Sequence, residues 1–276
     1  MSSLDPSSVS GSLAINLIAA ALFSSAVAGG EYLYSRLANR NPAYRRTRLG
    51  IFVTLWFLIN LGTWSFDKLN WGFALATTFP LVIVVYRELN QFWSIGLVSA
   101  DREVARGINY ATSLTMCQHS FCFLGIGAAK LTADKEAFRA VIERCNRSRP
   151  VRLLLSPPNH GGLRKFAAMA GRDPNTYKLA VTESLRFIAQ LKLKEAKNIQ
   201  VRFYDEFPAF RLMFIDDSTC LMSYYIMGKG DGSNLPQLHI VKTPGAQDTQ
   251  ALYFGFMEYF EKIWNTSKSW NFKDHL

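Results

Sequence analysis

The residues best equipped for chemistry in this chain sit in one short run, Ser156-Pro157-Pro158-Asn159-His160-Gly161-Gly162, with Arg164 and Lys165 directly after it. Glycines let backbone N–H groups approach a phosphate, Asn159 and His160 add polar side chains, and the two bases can pair with phosphate oxygens. The run follows a predicted strand, Val151–Leu155, and ligands of α/β sheets gather beyond strand carboxyl ends. The same residues equally describe a surface loop that leads into a helix. Further along, Arg211 and Lys242 fall on or next to predicted strands and would add positive charge. Tyr224 or Tyr225 could offer a ring to a base, a contact worth about 1–3 kcal/mol. Adjacent strand residues point to opposite faces, so at most one of the two serves a ligand. A core tyrosine with its hydroxyl bonded is the plainer alternative.

Imidazoles beside carboxylates would suit hydrolysis instead. His160 and His239, with Asp205, Asp216 and Asp217, are the candidates for a membrane-anchored phosphodiesterase acting on lipid or nucleic acid. Cys117-Gln118-His119-Ser120-Phe121-Cys122, with Cys145 as a fourth ligand, invites a metal reading. The spacing is not that of a zinc pair, and Cys122 lies in the apolar run SFCFLGIG. Buried reduced thiols are therefore expected at Cys117, Cys122, Cys145 and Cys220, with no metal and no cofactor.

These residues are spaced along alternating strand and helix signals. Phe121–Gly127 reads as a buried strand, Ala133–Cys145 as a helix with Phe138, Val141 and Ile142 on one face, and Val151–Leu155 as a strand stopped by prolines. Thr176–Lys197 reads as a long amphipathic helix and Ile199–Tyr204 as a third strand. Phe210–Ile215, Thr219–Met227 and Gln237–Thr243 are further strands, and Asp248–Ser267 is an aromatic-rich closing helix. The pattern predicts a mixed α/β domain with helices on the faces of its sheet.

Ahead of that domain the chain is apolar. Leu13 to Gly30, Gly50 to Phe66 and Trp71 to Tyr86 carry no charge. A spanning helix takes about 20 mostly apolar residues, so the first two qualify and the third is short but acceptable. Arg36, Arg40, Arg45, Arg46 and Arg48 crowd the first connection, which the positive-inside rule puts in the cytoplasm. The expected order is an extracytoplasmic N-terminus (1–12), a three-helix transmembrane unit (13–87), a juxtamembrane linker helix (88–107) and a cytoplasmic domain (108–276), all at the inner (plasma) membrane. Ala26-Val27-Ala28 resembles a signal-peptidase site, but the stretch before it holds Asp5 and no base, which argues against cleavage. Asn16 and Asn60 lie within apolar segments and Glu31 at the end of one, so in an oligomer they are candidate pore residues, with interhelical bonding or interfacial solvation as the alternative. The net charge of +10 lies mostly after residue 100 and suits an anionic partner, lipid or nucleotide, or plain solubility.

In its order of elements the second part resembles one half of the phospholipase D-like fold. FLGIGAAKL, a helix and VRLLLSPP come in the expected order, Pro208 to Asp217 (PAFRLMFIDD) looks like the family's active-site strand, and FGFMEYFEKIWNTS is similar to its closing helix. The resemblance covers about residues 105–270 and implies a His-x-Lys-x4-Asp signature. Laying the final acid on Asp217 puts Phe210 in the place of the nucleophilic histidine and Leu212 in that of the phosphate-holding lysine. The expectation is therefore a membrane α-helical N-terminal unit joined to a cytoplasmic α/β phospholipase D-like domain that is not an enzyme. That architecture is similar to bacterial antiphage membrane effectors of the nucleotide-gated Hailong type. It implies a homo-oligomeric ion channel or pore contacting membrane lipid and gated by a nucleotide or oligonucleotide, the ligand being made by a partner nucleotidyltransferase; a passive membrane adaptor for a cytoplasmic partner is the remaining alternative. Asn159, His160, Arg164, Lys165, Arg211, Tyr224 and Lys242 are its expected ligand-binding residues.

Overall fold

The computed structural model describes residues 71–145, 149–195, 197–226, 232–243 and 251–275, together with isolated positions before residue 62. The chain divides into two compact units, Met1–Gln91 and Phe92–Leu276. In the first unit the described structure is chiefly helix α1, Trp71–Ser94, which runs on into the second. The expected spans at 13–30 and most of 50–66 lie outside the described residues. The third expected span falls in α1, whose apolar run ends at Arg87 and Glu88. Among the described residues no helix is long and apolar enough to cross a membrane.

The second unit is built on an eight-stranded sheet ordered β1-β7-β6-β5-β2-β3-β4-β8. Its strands are β1 Leu97–Asp101, β2 Phe121–Leu124, β3 Val151–Leu155, β4 Ile199–Phe203, β5 Phe210–Ile215, β6 Thr219–Tyr224, β7 Gln237–Val241 and β8 Lys268–Ser269. β2, β3 and β4 are parallel, and every other pairing is antiparallel. Helices α2 Tyr110–Met116, α3 Lys135–Cys145, α4 Gly161–Met169, α5 Thr176–Lys194 and α6 Leu252–Thr266 complete the unit.

Two apolar layers hold the sheet. On one face Phe123, Leu153, Val201, Met213 and Leu221 pack with Phe138 and Ile142 of α3 and Leu185 and Ile188 of α5. On the other, Leu124, Leu154, Leu212, Phe214 and Ile240 meet Tyr253, Phe260 and Trp264 of α6. With both faces covered, β2 is buried at all four residues and shows no polar alternation. Arg152 and Arg202 lie over the Trp264 ring, 5.2 and 4.7 Å from its centroid, and Arg152 forks onto Glu261 at 2.6 and 3.0 Å. All four cysteines are buried and free, and the described residues hold no cluster of metal-binding side chains.

The linker expected as a helix over 88–107 is replaced by two elements. α1 stops at Ser94 and the chain reverses at Gly96, whose φ of 85° is open to glycine. A Cβ there would lie 2.4 Å from the Val241 carbonyl oxygen, so only glycine lets the chain turn so close to β7. Leu97–Asp101 then pairs with β7 as the sheet's edge strand. Its Ile95, Leu97 and Val98 mimic a continuing helical stripe in sequence, and the pairing that makes it a strand is long-range.

Phe260 is fully buried, edge-on to Phe214 and stacked on Trp264. Phe260→Ala is expected to cost about 3–5 kcal/mol, read as a lowered urea midpoint with an unchanged denaturant slope.

Candidate functional site

A cavity of about 230 Å³ opens where the parallel and antiparallel halves of the sheet meet. Its wall includes Phe123 at the end of β2, Ile126 and Gly127 of the loop that follows, and Lys130 beyond them. Arg172, Tyr177 and Val181 come from the start of α5 and the turn before it, Tyr110 from α2, Arg211 from β5, and Tyr225 from just past β6. This is the carboxyl end of a parallel strand, where open α/β sheets leave room for ligands. Gly127 must lack a side chain here, because a Cβ would come 2.8 Å from a Val181 methyl and press α5 away.

Among the described residues three cations line the cavity, Lys130, Arg172 and Arg211, and no acid does. Arg211 is the unusual one. It is 4% exposed, and its Nη1 donates to the Tyr110 hydroxyl at 2.7 Å and to the Gly232 carbonyl at 3.5 Å. Its Nε and Nη2 have no hydrogen-bond partner among the described residues. A buried charged donor left unmet costs upward of about 1–3 kcal/mol, and an anion's oxygens would remove that cost with charge-assisted bonds. Aromatic rings supply the remaining wall: Phe166 is edge-on to Tyr177 at 5.3 Å and to Tyr225 at 6.4 Å, and Tyr110 is edge-on to Phe123 at 6.4 Å. The Tyr225 hydroxyl accepts from the Ile126 N–H at 3.1 Å, and burial raises its phenol above the ordinary range, so it stays neutral.

Of the residues expected to bind a ligand, only Arg211 lines this cavity. Tyr224 is exposed on β6, and its neighbour Tyr225 is the one that faces in, as strand alternation requires. Lys242 lies beyond β7 at the opposite end of the sheet, over the Phe254 ring. Arg164, Lys165 and Asn159 are exposed outside the cavity. His160 is a structural residue: it is the N-cap of α4, its Nδ1 accepting from the Gly162 N–H at 3.0 Å while Nε2 bonds the Asp205 carbonyl at 2.6 Å. Those two bonds fix one tautomer and occupy both nitrogens. Asn16, Glu31 and Asn60 lie outside the described residues. Lys130, Arg172 and Tyr110 were not singled out from sequence. The signal that could have found Lys130 is the pair of glycines in FLGIGAAK, which directly follow a strand and precede a base.

The strand that resembles a phospholipase D-like active site is used differently on its two faces. Phe210 and Leu212 point into the layer under α6, where Phe210 meets Phe256 and Tyr259 at 5.5 and 5.8 Å. Arg211 points the other way. Asp217 does not face a site at all: with Asp216 it makes the β5–β6 turn, both at positive φ (51° and 54°), and it pairs with Arg149 and Ser120. Asp216 accepts from the N–H groups of Gln118, His119 and Ser120 at 2.6–3.1 Å. Burial pulls its carboxyl up, and those three donors outweigh it and hold the group below the usual carboxylate range.

The chain matches no protein-family model, and no curated protein matches it. Among solved structures it is similar to the phosphatidylserine synthase of Haemophilus influenzae Rd KW20, at 10% identity and a TM-score of 0.44, over 63% of this chain and 40% of that one. The chain thus spans less than half the length of that protein. The domain is a mixed α/β sheet, and from a likeness this distant no residue role carries over. The expectation that the chain is not an enzyme is withdrawn, because it rested on Phe210 and Leu212 alone. Phe210 and Leu212 exclude one motif on one strand and leave other chemistry open.

Because Asp216 is held low by native donors, its contribution to stability is present above the unfolded carboxyl value of about 3.9 and is lost as pH falls through its lower native value. Asp216→Asn, which tolerates the positive φ, is expected to lower the denaturation midpoint at pH 7. It should also flatten the loss of stability between about pH 4 and pH 2, followed by urea titrations across that range.

Proposed function

We propose that this domain is a receptor for an anionic nucleotide-type ligand, with a phosphate on Arg211 and the base among the aromatic rings of the cavity. The observation that carries it is the buried Arg211 guanidinium: among the described residues two of its donor nitrogens are unmet, and its cavity holds two more cations and no acid. Inorganic anions alone would not need Tyr110, Phe166, Tyr177 and Tyr225 around the same space, whereas a base gains about 1–3 kcal/mol from stacking on one such ring. Lys130 and Arg172 extend the positive field outward, so the ligand's approach is steered as well as its final pose.

The uncharged stretches at 13–30 and 50–66, with the apolar part of α1, suit a membrane-embedded unit whose arginine-rich connection stays in the cytoplasm. In this reading several copies assemble, since so few helices per chain enclose little space, and ligand at Arg211 shifts the assembly between a conducting and a closed state. Such a shift needs the ligand to bind one state more tightly than the other.

Titration of the full-length protein with mononucleotides and with cyclic and linear oligonucleotides tests the first half. Arg211→Ala is expected to weaken the best ligand by roughly 30- to 5,000-fold, the cost of about 2–5 kcal/mol for losing one side of a buried charge pair. Arg211→Lys should not restore it, because an ammonium cannot fork two bonds along the guanidinium plane. An unchanged affinity in Arg211→Ala, or no binding anywhere in the panel, overturns the receptor. Ion flux through proteoliposomes with and without that ligand tests the second half separately. Flux that the ligand does not alter rejects gating and leaves the binding result standing.

A further inference from the structure

Away from the cavity, at the free edge of the sheet, three side chains stand in a line that the receptor does not use. Ser99 of β1 is the register partner of His239 on β7, so both side chains leave the same face. Asp101 lies two residues further along β1, again on that face. The Ser99 Oγ is 2.7 Å from His239 Nδ1, and His239 Nε2 is 2.7 Å from Asp101 Oδ2. With a neutral imidazole, only one proton arrangement uses both bonds together with an ionised carboxylate. Ser99 O–H donates to the Nδ1 lone pair, and Nε2–H donates to Asp101.

We propose that Ser99, His239 and Asp101 form a second site, a serine nucleophile with its base and an orienting carboxylate, acting on carboxylic esters. The exposures fit the roles: Ser99 is exposed and can be reached, while His239 is 8% exposed and held between its neighbours. Asp101 is fixed by more than the imidazole. The chain after β1 folds back so that Ile108 N–H donates to Asp101 Oδ2 at 2.8 Å, and Gly107 lies against the carboxylate, where a Cβ would fall 1.8 Å from Asp101 Cγ. A residue tying one edge strand to its neighbour needs a hydrogen bond; it does not need a loop moulded around its carboxylate. The imidazole is turned end for end relative to the usual serine triad. The relay needs only a lone pair toward the hydroxyl and an N–H toward the carboxylate, and both are present.

In the reaction the Ser99 Oγ bonds to the ester carbonyl carbon as its proton passes to His239 Nδ1. The carbon–oxygen bond to the alcohol breaks, and Nδ1 returns the proton to the departing alkoxide. Water then attacks the acyl-serine by the same proton path and releases the acid, which restores Ser99. Every other amide of an edge strand points away from its partner, so β1 has N–H groups with which to meet the carbonyl oxygen as it becomes negative. Carboxylic esters fit better than phosphodiesters because none of the cavity's cations contacts this trio, and phosphoryl transfer leans on cations at the equatorial oxygens. Ser99 and His239 are the catalytic residues; Asp101 is a positioning residue.

The experiment treats full-length protein with a fluorophosphonate probe and locates the adduct by peptide mass spectrometry, alongside hydrolysis of p-nitrophenyl acetate. The expected result is one adduct, on Ser99, lost in Ser99→Ala and formed at least about 100-fold more slowly in His239→Gln. Asp101→Asn is expected to keep the thermal midpoint within a few degrees, slow the adduct, and move the imidazole proton off Nε2 in the 15N spectrum. A merely structural carboxylate would not couple those last two effects. Absence of an adduct on Ser99 of the folded wild type overturns the site, whatever the variants do. So does an adduct whose rate is the same in a folded His239→Gln.

Discussion

Side-chain alternation along Phe210–Ile215 is the constraint on which the rest of this domain turns. β5 sits at the centre of the sheet, with the parallel strands on one side and the antiparallel ones on the other. Phe210, Leu212 and Phe214 must leave one face and Arg211, Met213 and Ile215 the other, because a strand offers no third direction. α6 claims the first face entirely with aromatic rings. The second is filled by α3 and α5 only toward Ile215; near Arg211 the covering elements part, and the cavity is what they leave. A one-residue slip of β5 would bury a guanidinium under α6 and force three large aromatic or aliphatic side chains into the layer under α3 and α5, so the register holds the fold and the site together.

Placing Arg211 there is unfavourable for the protein by itself. A guanidinium keeps its charge at any physiological pH, so it cannot escape burial by deprotonation as a lysine could. Tyr110 and Gly232 relieve one nitrogen. The two nitrogens that find no partner among the described residues represent a cost that the apolar layers on both faces must outweigh. Asp216 shows the opposite arrangement at the far end of the same strand. There a carboxylate takes three backbone donors and its burial is more than offset. One end of β5 is saturated and fixed in a turn, and the other is left unsaturated beside open space. That contrast separates the structural acid from the cation available to a ligand.

Much of this fold is legible in the sequence, and the reasons for the gaps are physical. Val151–Leu155 and Phe210–Ile215 appear at their predicted bounds, since a short apolar run between turn residues has few other outcomes. The amphipathic helix at Thr176 and the aromatic closing helix are shorter than predicted by a few residues at their ends, where periodicity is weakest. β1 escaped because it carries no signal of its own and is a strand only by virtue of β7, whereas α4 stands where the loop leading into a helix was read. For the candidate site the sequence led to the wrong loop. SPPNHGG has the composition of a phosphate cradle, yet its histidine is consumed in capping a helix, and the shorter Gly125-Ile126-Gly127 lies against the cavity. Composition can nominate both loops; only the packing of α5 against Gly127 chooses between them.

The two sites are joined by one short stretch of chain. Asp101 closes β1 and holds His239, and Ile108 answers it with its N–H while its carbonyl accepts from the buried Gln237 Nε2. One residue later Asn109 caps α2, accepting from the Thr112 N–H at 3.0 Å, and Tyr110 reaches across to Arg211 at 2.7 Å. Between Asp101 and Tyr110 the backbone is further pinned, by Val104 N–H to the Leu235 carbonyl and Ala105 N–H to that of Ser233. Ser233 and Leu235 themselves line the cavity. An anion that took up Nε and Nη2 of Arg211 would leave the Nη1 bond to the Tyr110 hydroxyl in place. The strain of any adjustment would then fall on a loop whose other end is anchored to the Asp101 carboxylate. The edge of the sheet and its central cavity are, on this geometry, ends of a single connected element.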